Sequence, residues 1–451
     1  MEMYTTPQPL SAYLDRKLTC DCGREHYAAL QFVSIRAGAV EDLSGFLKGQ
    51  GFTSAYLIAD EITRKLAGEK CRALLEAAGI KAKLHCLKRM GFDEGTVGEL
   101  LIHMPLDCDV CVAVGTGAIN DMTRFFSHRL GRPFCTVATA APMDGFASSI
   151  AAIQVDELKT TFEAQTPIAI VGDTDILTGA PYRMIAAGLG DLLGKYTCLC
   201  DWKLSRLING EHYCDKVVAL VEKCVDEVLA SADKAKDRDP ATLGGIMEGL
   251  VLAGVAMSLY GNSRPASGCE HHMSHYWEMM CEQRGQRPAP HGIQVGVGTV
   301  LVLRLVEALL ARQVDFDAAR AAARSYDPAA WEREIRRAYG GAAEGVIAME
   351  AQAKKNDTAA RLARIDVMEQ HWDELCGLLR ALPAADEVTA LLRSLGAPCT
   401  PAEIEVDEAT LRDTFLYCKE VRARYTILQL LWDLGVLEEL AQQVTDGLKQ
   451  A

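Results

Sequence analysis

Val110-Cys-Val-Ala-Val-Gly115-Thr-Gly117-Ala-Ile-Asn-Asp121, running on into Met122 to Leu130, is the stretch that decides the fold. An apolar run rich in valine predicts a buried strand, and the spacing of the residues after Asp121 predicts a helix. The two glycines make the turn between them. Such a turn lets the backbone approach a pyrophosphate, and the helix that follows offers N–H groups and positive potential at its start. The motif is shorter than a full GxGxxG and glycines also simply end strands, so the turn alone leaves phosphate binding and strand termination both open.

Outward from this turn, residues 28 to 175 alternate short β-rich runs with amphipathic segments. Strands are expected at Gln31 to Ile35, Ser54 to Ala59, Lys81 to Leu87, Val110 to Val114, Phe134 to Val137 and Ile168 to Val171, with helices such as Val40 to Gln50 and Ile62 to Ala78 between them. That alternation is the pattern of a parallel sheet with crossover helices. Beyond Thr178-Gly179-Ala180-Pro181 the periodicity becomes helical throughout: Tyr182 to Leu207, Val217 to Ala230, Ala241 to Tyr260, Val300 to Ala311, Trp331 to Met349, Thr358 to Leu382 and Thr410 to Leu440. A chain of 451 residues exceeds the size at which one core keeps growing. The expected fold is therefore an α/β, Rossmann-like N-terminal domain with a parallel sheet over residues 1–179 and an all-α domain over 180–451.

In a parallel sheet, ligands gather at the C-terminal ends of the strands. Two further elements fall there: the polar turn Ala138 to Ser149, with small residues, hydroxyls and Asp144, and Asp60 at the end of the run Ala55 to Ala59. A carboxylate at Asp60 suits either a ribose hydroxyl or the N-cap of a helix beginning near Glu61. On the first reading a 2′-phosphate is repelled there.

A net charge of −14 excludes a general nucleic-acid binder, because phosphate-backbone affinity needs clustered Lys and Arg. The apolar run at Gly249 to Tyr260 is too short to cross a bilayer, so no membrane span is expected. The sixteen cysteines form no compact disulfide framework, and Met1-Glu2-Met3-Tyr4 is unlike a secretory signal, so a reducing cytoplasm is expected. Cys108 and Cys111 form a CxxC whose strand alternation is expected to send them to opposite faces. Cys20-Asp21-Cys22 with His26 resembles half of a zinc site without a second half at useful spacing, and reads as packing.

The helical half holds Gly268-Cys-Glu-His271-His272-Met-Ser-His275, then His291-Gly292, with Gly190-Asp191 upstream. Four of the ten histidines fall between residues 271 and 291. Side chains three or four residues apart share a helix face, so the cluster reads as a metal site, with buried hydrogen-bonded histidines as the alternative. Imidazole suits Zn, Ni or Fe(II), and three protein ligands leave positions open for substrate.

Taken in order, Gly115 to Asp121, Thr139 to Ser149, Gly190 to Tyr196, Ser263 to His275 and His291-Gly292 resemble the bacterial branch of the sn-glycerol-1-phosphate dehydrogenases. These are members of the iron-containing alcohol dehydrogenase and dehydroquinate synthase superfamily. The tail, Asp413-Thr414-Phe415 to Asp433-Leu434-Gly435, resembles that branch too. The resemblance implies a dehydroquinate synthase-like fold, hydride exchange between a nicotinamide and a small phosphorylated substrate, and a homodimer. It implies NAD(H), with NADP(H) as second choice, and one divalent ion, Ni, Zn or Fe. By position, Asp191, His271 and His291 match metal ligands, and His275 joins them in the catalytic group. Gly115, Gly117, Ala118, Ile119, Asn120, Asp121, Thr139 and Ser148 match NAD contacts, with Asp60 on the adenosine side, and Asp144, Asp191 and His275 match substrate contacts. Cys269, where serine is commoner, and Pro142, which removes one N–H donor, depart from the pattern. Lys195, Arg264 and Lys419 to Arg424 are candidates for the substrate phosphate. Competing readings are a polyol dehydrogenase, a dehydroquinate synthase-like enzyme, or a nucleotide-sensing module without turnover.

Overall fold

Helix Tyr182–Asn209 joins the two compact units of the chain, passing from one to the other between Leu192 and Leu193. The computed structural model describes residues 1–88, 93–155 and 158–449. The first unit comprises Met1–Leu192 with Asp215–Ser263, and the second Leu193–Cys214 with Arg264–Ala451. This partition differs from a single cut between residues 179 and 180. The Pro and Gly punctuation there ends one short helix, Thr174–Leu177, but helices Asp215–Leu229 and Pro240–Tyr260 still pack within the first unit.

In the first unit, two hairpin strands, β1 (Lys17–Thr19) and β2 (Glu25–Tyr27), precede a six-stranded parallel sheet. Its strands are β3 (Phe32–Arg36), β4 (Ser54–Ala59), β5 (Lys81–Cys86), β6 (Val110–Gly115), β7 (Phe134–Ala138) and β10 (Ala169–Asp173), ordered β3-β10-β7-β6-β4-β5. Each lies within two residues of its expected position. The central strands β4, β6, β7 and β10 are buried along their whole length, which is why they read as unbroken apolar runs. The hairpin β8 (Ile150–Val155) with β9 (Leu158–Glu163) was not anticipated. Nor was β1 with β2, whose strands of three residues are too short to show alternation.

The apolar run at Gly249 to Tyr260 is part of a longer helix, Pro240–Tyr260, capped by Asp239 on the Thr242 N–H at 2.8 Å and closed by Gly261 at φ 87°. Its 21 residues have the length and composition of a membrane span, but 72% of its most apolar window is buried in the protein. Gly254 on this helix and Gly188 on Tyr182–Asn209 serve close packing. A Cβ at Gly188 would stand 2.1 Å from the Ala141 carbonyl oxygen, and one at Gly254 would stand 2.9 Å from the Ala147 Cβ. Two helix backbones thereby close on residues 141–147.

The CxxC expectation needs correction. Cys108 precedes β6, its N–H closing a turn on the Pro105 carbonyl, so strand alternation does not apply to it; Cys108 and Cys111 bury in one apolar cluster.

The second unit is helical among the described residues, with Cys269–Gln283 packed on the long, buried helix His291–Leu310. Where the sequence suggested long helices, the structure breaks them. Gly340, at φ 51°, separates Pro328–Tyr339 from Ala343–Ala353, and Gly435, at φ 73°, separates Ile427–Asp433 from Leu437–Leu448. A single glycine inside helical periodicity is easily read through, because the apolar spacing resumes beyond it.

Gly188→Ala is expected to lower unfolding stability by about 1–3 kcal/mol, the usual range for overpacking against backbone. Gly98→Ala, in helix Glu94–His103 where a Cβ meets nothing within 4 Å, is expected to raise it by roughly 0.5–1 kcal/mol. Urea titration of both variants checks the contrast.

Candidate active site

At the end of β6 the chain turns directly into helix Gly117–Arg129. Gly115 is required by its own helix, since a Cβ there would lie 2.6 Å from Ile119 Cδ1, and Gly117 takes φ +40°. Thr116 is the N-cap, yet its hydroxyl makes no hydrogen bond among the described residues, so the first N–H groups lack a side-chain cap. Gly117 and Ala118 are half-buried at this open end, while Ile119 and Asn120 are buried under it. Asn120 accepts from the Thr136 hydroxyl at 2.6 Å, fastening the helix to β7.

Asp121 faces inward along the chain: its Oδ1 accepts from Arg124 Nη1 at 2.5 Å. Arg124, fully buried, also donates to the carbonyls of Gly145 at 2.6 Å, Phe146 at 3.0 Å and Ile150 at 2.9 Å. One guanidinium thus fixes the course of the loop that carries Thr139, Asp144 and Ser148. The Ser148 hydroxyl accepts from the Ile150 N–H at 3.1 Å, and Thr139 is buried where β7 ends. The other side of the loop meets Asp191, a fully buried carboxylate whose Oδ2 accepts the Asp144 N–H at 2.9 Å. The close approach at Gly188, one helical turn earlier, makes this bond possible.

Asp60 is a helix cap. Its Oδ1 accepts from the N–H groups of Ile62 at 2.9 Å and Thr63 at 2.7 Å, and the Thr63 hydroxyl accepts from the Asp60 N–H at 3.0 Å. Oδ2 takes no part in the cap. Of the nearby cations, Lys65 pairs with Glu61 at 2.8 Å, and Arg64 pairs with Glu61 at 3.2 Å and Glu69 at 2.7 Å.

In the second unit the expected histidines converge. The rings of His271 and His291 lie 5.2 Å apart, those of His275 and His291 5.5 Å, and those of His271 and His275 6.2 Å. His271 Nδ1 donates to Glu270 Oε1 at 2.7 Å. His291 Nδ1 stands 3.1 Å from Glu278 Oε1, whose other oxygen is 3.3 Å from His275 Nδ1. A carboxylate only accepts here, so Nδ1 of His271 and of His291 holds the hydrogen and Nε2 holds the lone pair. That is the orientation in which an imidazole ligates a metal, with a carboxylate behind it. Nitrogen donors in pairs suit Zn, Ni and Fe(II).

Glu270 is entirely buried. Burial pushes its carboxyl up, but hydrogen bonds from His271, the Thr197 hydroxyl at 2.6 Å and the Gly268 N–H at 2.8 Å outweigh this and hold it below the usual range. Asp201, with an oxygen within 4.8 Å of Glu270, is pushed up to about 7 by burial and then by the Glu270 charge. Of the two buried carboxylates, Glu270 keeps its charge. Burial, opposed by Glu278, brings His275 down to about 4, so its ring is neutral at physiological pH. His272 is fully buried.

Glu270, Glu278, Thr197 and Arg124 were not singled out in the sequence. Glu278 sits seven residues after His271 on the same helix face, and Arg124 three after Asp121, so helical spacing was the available signal. Three of the cations considered for the substrate phosphate are committed elsewhere. Lys195 donates to the Ala266 carbonyl at 3.0 Å, Arg264 pairs with Glu211 at 2.8 Å, and Lys419 is buried against Glu420.

Known proteins resemble this chain in sequence and in fold. Residues 34–181 match the family model for iron-containing alcohol dehydrogenase. A protein of Bacillus licheniformis named glycerol-1-phosphate dehydrogenase [NAD(P)+] is 32% identical over 440 residues, covering 96% of this chain and 96% of that protein. One of the same name from Methanosarcina barkeri is 35% identical over 276 residues, covering 60% of this chain and 76% of that protein. Among solved structures, glycerol dehydrogenase from Schizosaccharomyces pombe superposes with a TM-score of 0.61 at 15% identity, covering 94% of this chain and 93% of that one. An iron-containing alcohol dehydrogenase from Thermococcus thioreducens gives 0.58 at 14%, covering 94% and 100%. Those two share the fold.

Glu270→Gln keeps the size of the side chain but removes the charge that fixes the His271 tautomer. Loss of such a partner typically weakens metal binding by about 10–100-fold. Competition with a metal-sensitive dye is expected to show a decrease in that range, with unfolding temperature little changed.

Proposed function

The chain belongs to the glycerol-1-phosphate dehydrogenase family, and on that premise we propose that it interconverts dihydroxyacetone phosphate and sn-glycerol 1-phosphate, with Asp191, His271 and His291 holding one divalent ion. The observation that carries the proposal is the His271–His291 pair, each ring backed at Nδ1 by a buried or half-buried glutamate. Asp191 is the third ligand by its place in the family motif, a fully buried carboxylate held by the Asp144 N–H. When bound, the divalent ion supplies Lewis acidity toward the C2 oxygen, and the nicotinamide supplies or receives the hydride.

The protein's own groups do the rest. Gly115, Gly117, Ala118, Ile119, Asn120 and Asp121 form the turn and helix end that cradle the pyrophosphate of NAD, the last two as its structural support. Thr139 and Ser148 line the cofactor side of the Arg124-braced loop, and Asp144 orients the substrate there. His275, neutral and half-exposed, carries a proton between the C2 oxygen and solvent. In the reducing direction one hydride goes to C2 and one proton to its oxygen. A homodimer in a reducing cytoplasm, with Ni, Zn or Fe as the ion, completes the reading.

NADH is the preferred cofactor, with NADPH accepted more weakly. Asp60 Oδ2 is available for an adenosine ribose hydroxyl, and the cations that would welcome a 2′-phosphate are already paired with Glu61 and Glu69. Wild type is expected to show a higher kcat/KM with NADH, and Asp60→Ser, which retains a capping hydroxyl, to gain with NADPH. Equal use of both cofactors by wild type would reduce Asp60 to a cap.

The direct assay is NADH oxidation by dihydroxyacetone phosphate after loading apo-protein with Ni, Zn or Fe, with chiral analysis of the product. sn-Glycerol 1-phosphate is expected, together with full loss of turnover on chelation and in His271→Ala. Faster reduction of unphosphorylated dihydroxyacetone would favour a polyol dehydrogenase instead. His275→Ala is expected to keep its metal and lose about 10²–10⁴ in kcat, the usual contribution of a general acid or base. A change below about threefold would make it a packing residue.

A further inference from the structure

The β1–β2 hairpin has a turn carrying Cys20, Cys22 and Gly23, and His26 lies on its second strand. The turn is tight: Gly23, at φ +87°, donates to the Cys20 carbonyl at 3.1 Å, and Cys20 donates to the Arg24 carbonyl at 3.2 Å. It gathers the two sulfurs and a ring nitrogen of His26 to within 4.8 Å of one another. His26 is completely buried, with Nδ1 2.7 Å from the Leu259 carbonyl oxygen. A carbonyl only accepts, so Nδ1 carries the hydrogen and Nε2 the lone pair, and Nε2 lies 3.3 Å from Cys22 Sγ. A backbone carbonyl behind the imidazole is the usual support of a metal-ligating histidine. Tetrahedral zinc, with Zn–S about 2.3 Å and Zn–N about 2.0 Å, needs ligand atoms roughly 3.5–3.8 Å apart, within easy adjustment of this arrangement.

A fourth ligand is supplied by connectivity. Cys214 directly precedes Asp215, the first residue of helix Asp215–Leu229, and Lys216 of that helix pairs at 3.1 Å with Asp21, the residue between the two cysteines. We propose that Cys20, Cys22, His26 and Cys214 bind one zinc ion in a closed, structural site separate from the catalytic ion. Three thiolates and one imidazole fill the tetrahedron, leave no position for substrate, and select zinc by their softness. Through the His26–Leu259 bond the ion pins the hairpin to the end of helix Pro240–Tyr260, where Arg24 also stacks on Tyr260 at 5.3 Å. That helix backs the active-site loop at Gly254, so the ion secures the support of the loop.

The test uses the full-length protein expressed with zinc in the medium. His271→Ala, which lacks a ligand of the catalytic ion, is expected to retain one zinc per chain, and His271→Ala combined with Cys22→Ser to retain none. Loaded with cobalt(II), wild type and His271→Ala are expected to show sulfur-to-cobalt charge-transfer absorption in the near ultraviolet, and Cys22→Ser to lose it. Aspartate and histidine ligands give no such band, which keeps this site distinguishable from the catalytic one. A readout without variants is iodoacetamide labelling mapped by mass spectrometry, expected to spare Cys20 and Cys22 until a strong chelator withdraws the zinc. Zinc content indifferent to Cys22→Ser, absence of the band, or labelling of Cys20 and Cys22 that is equal before and after chelation overturns the proposal.

Discussion

The bond between the Glu270 carboxylate and Nδ1 of His271 is the constraint around which the second unit is arranged. It is a buried charge, and burying a charge costs several kcal/mol unless hydrogen bonds replace the lost water. Thr197, Gly268 and His271 supply those bonds. Room for them comes from two glycines: a Cβ at Gly194 would stand 3.1 Å from Glu270 Cγ, and one at Gly298 would stand 2.9 Å from the Glu270 carbonyl oxygen. Helices 182–209 and 291–310 thus close on a residue that performs no chemistry itself. Its effect is to decide which nitrogen of His271 carries the lone pair, and with that whether the histidine pair can ligate.

The first unit solves a comparable problem with a cation. Arg124 holds three carbonyls of residues 145–150 and is itself balanced by Asp121. Glycines again permit the approach of neighbouring helices, at Gly188 and Gly254. In both units a buried ionic group fixes the course of the backbone, and glycine lets helices come near enough to enclose it. Both surfaces take their shape on folding, and a ligand that binds a surface already shaped meets a lower ordering cost.

The fold was legible to the extent that it repeats local rules. The four central parallel strands, buried along their whole length, announced themselves as apolar runs, and the strand at Val110 was read nearly to the residue, while the helix after it begins at Gly117, five residues before its expected start. His271 and His275 were legible from helical spacing, and a carry-over from family motifs added His291 and Asp191. What escaped was non-local or competed for the same residues. Asp60 suited two roles by composition, and only the bonds to Ile62 and Thr63 reveal the cap. Cys20, Cys22 and His26 looked like half a site because Cys214 lies far along the chain, beyond any motif spacing. The domain division failed to appear at one point because helix Tyr182–Asn209 carries the chain across without a break in periodicity.

Anomalous diffraction from crystals of the metal-loaded protein, recorded at the absorption edge of the ion, tests the account most directly. The expected result is a peak within coordination distance of Nε2 of both His271 and His291, with the Asp191 carboxylate as third ligand. An ion held by His275, Glu278 and His291, whose ligand atoms lie within 4.8 Å of one another, would contradict it.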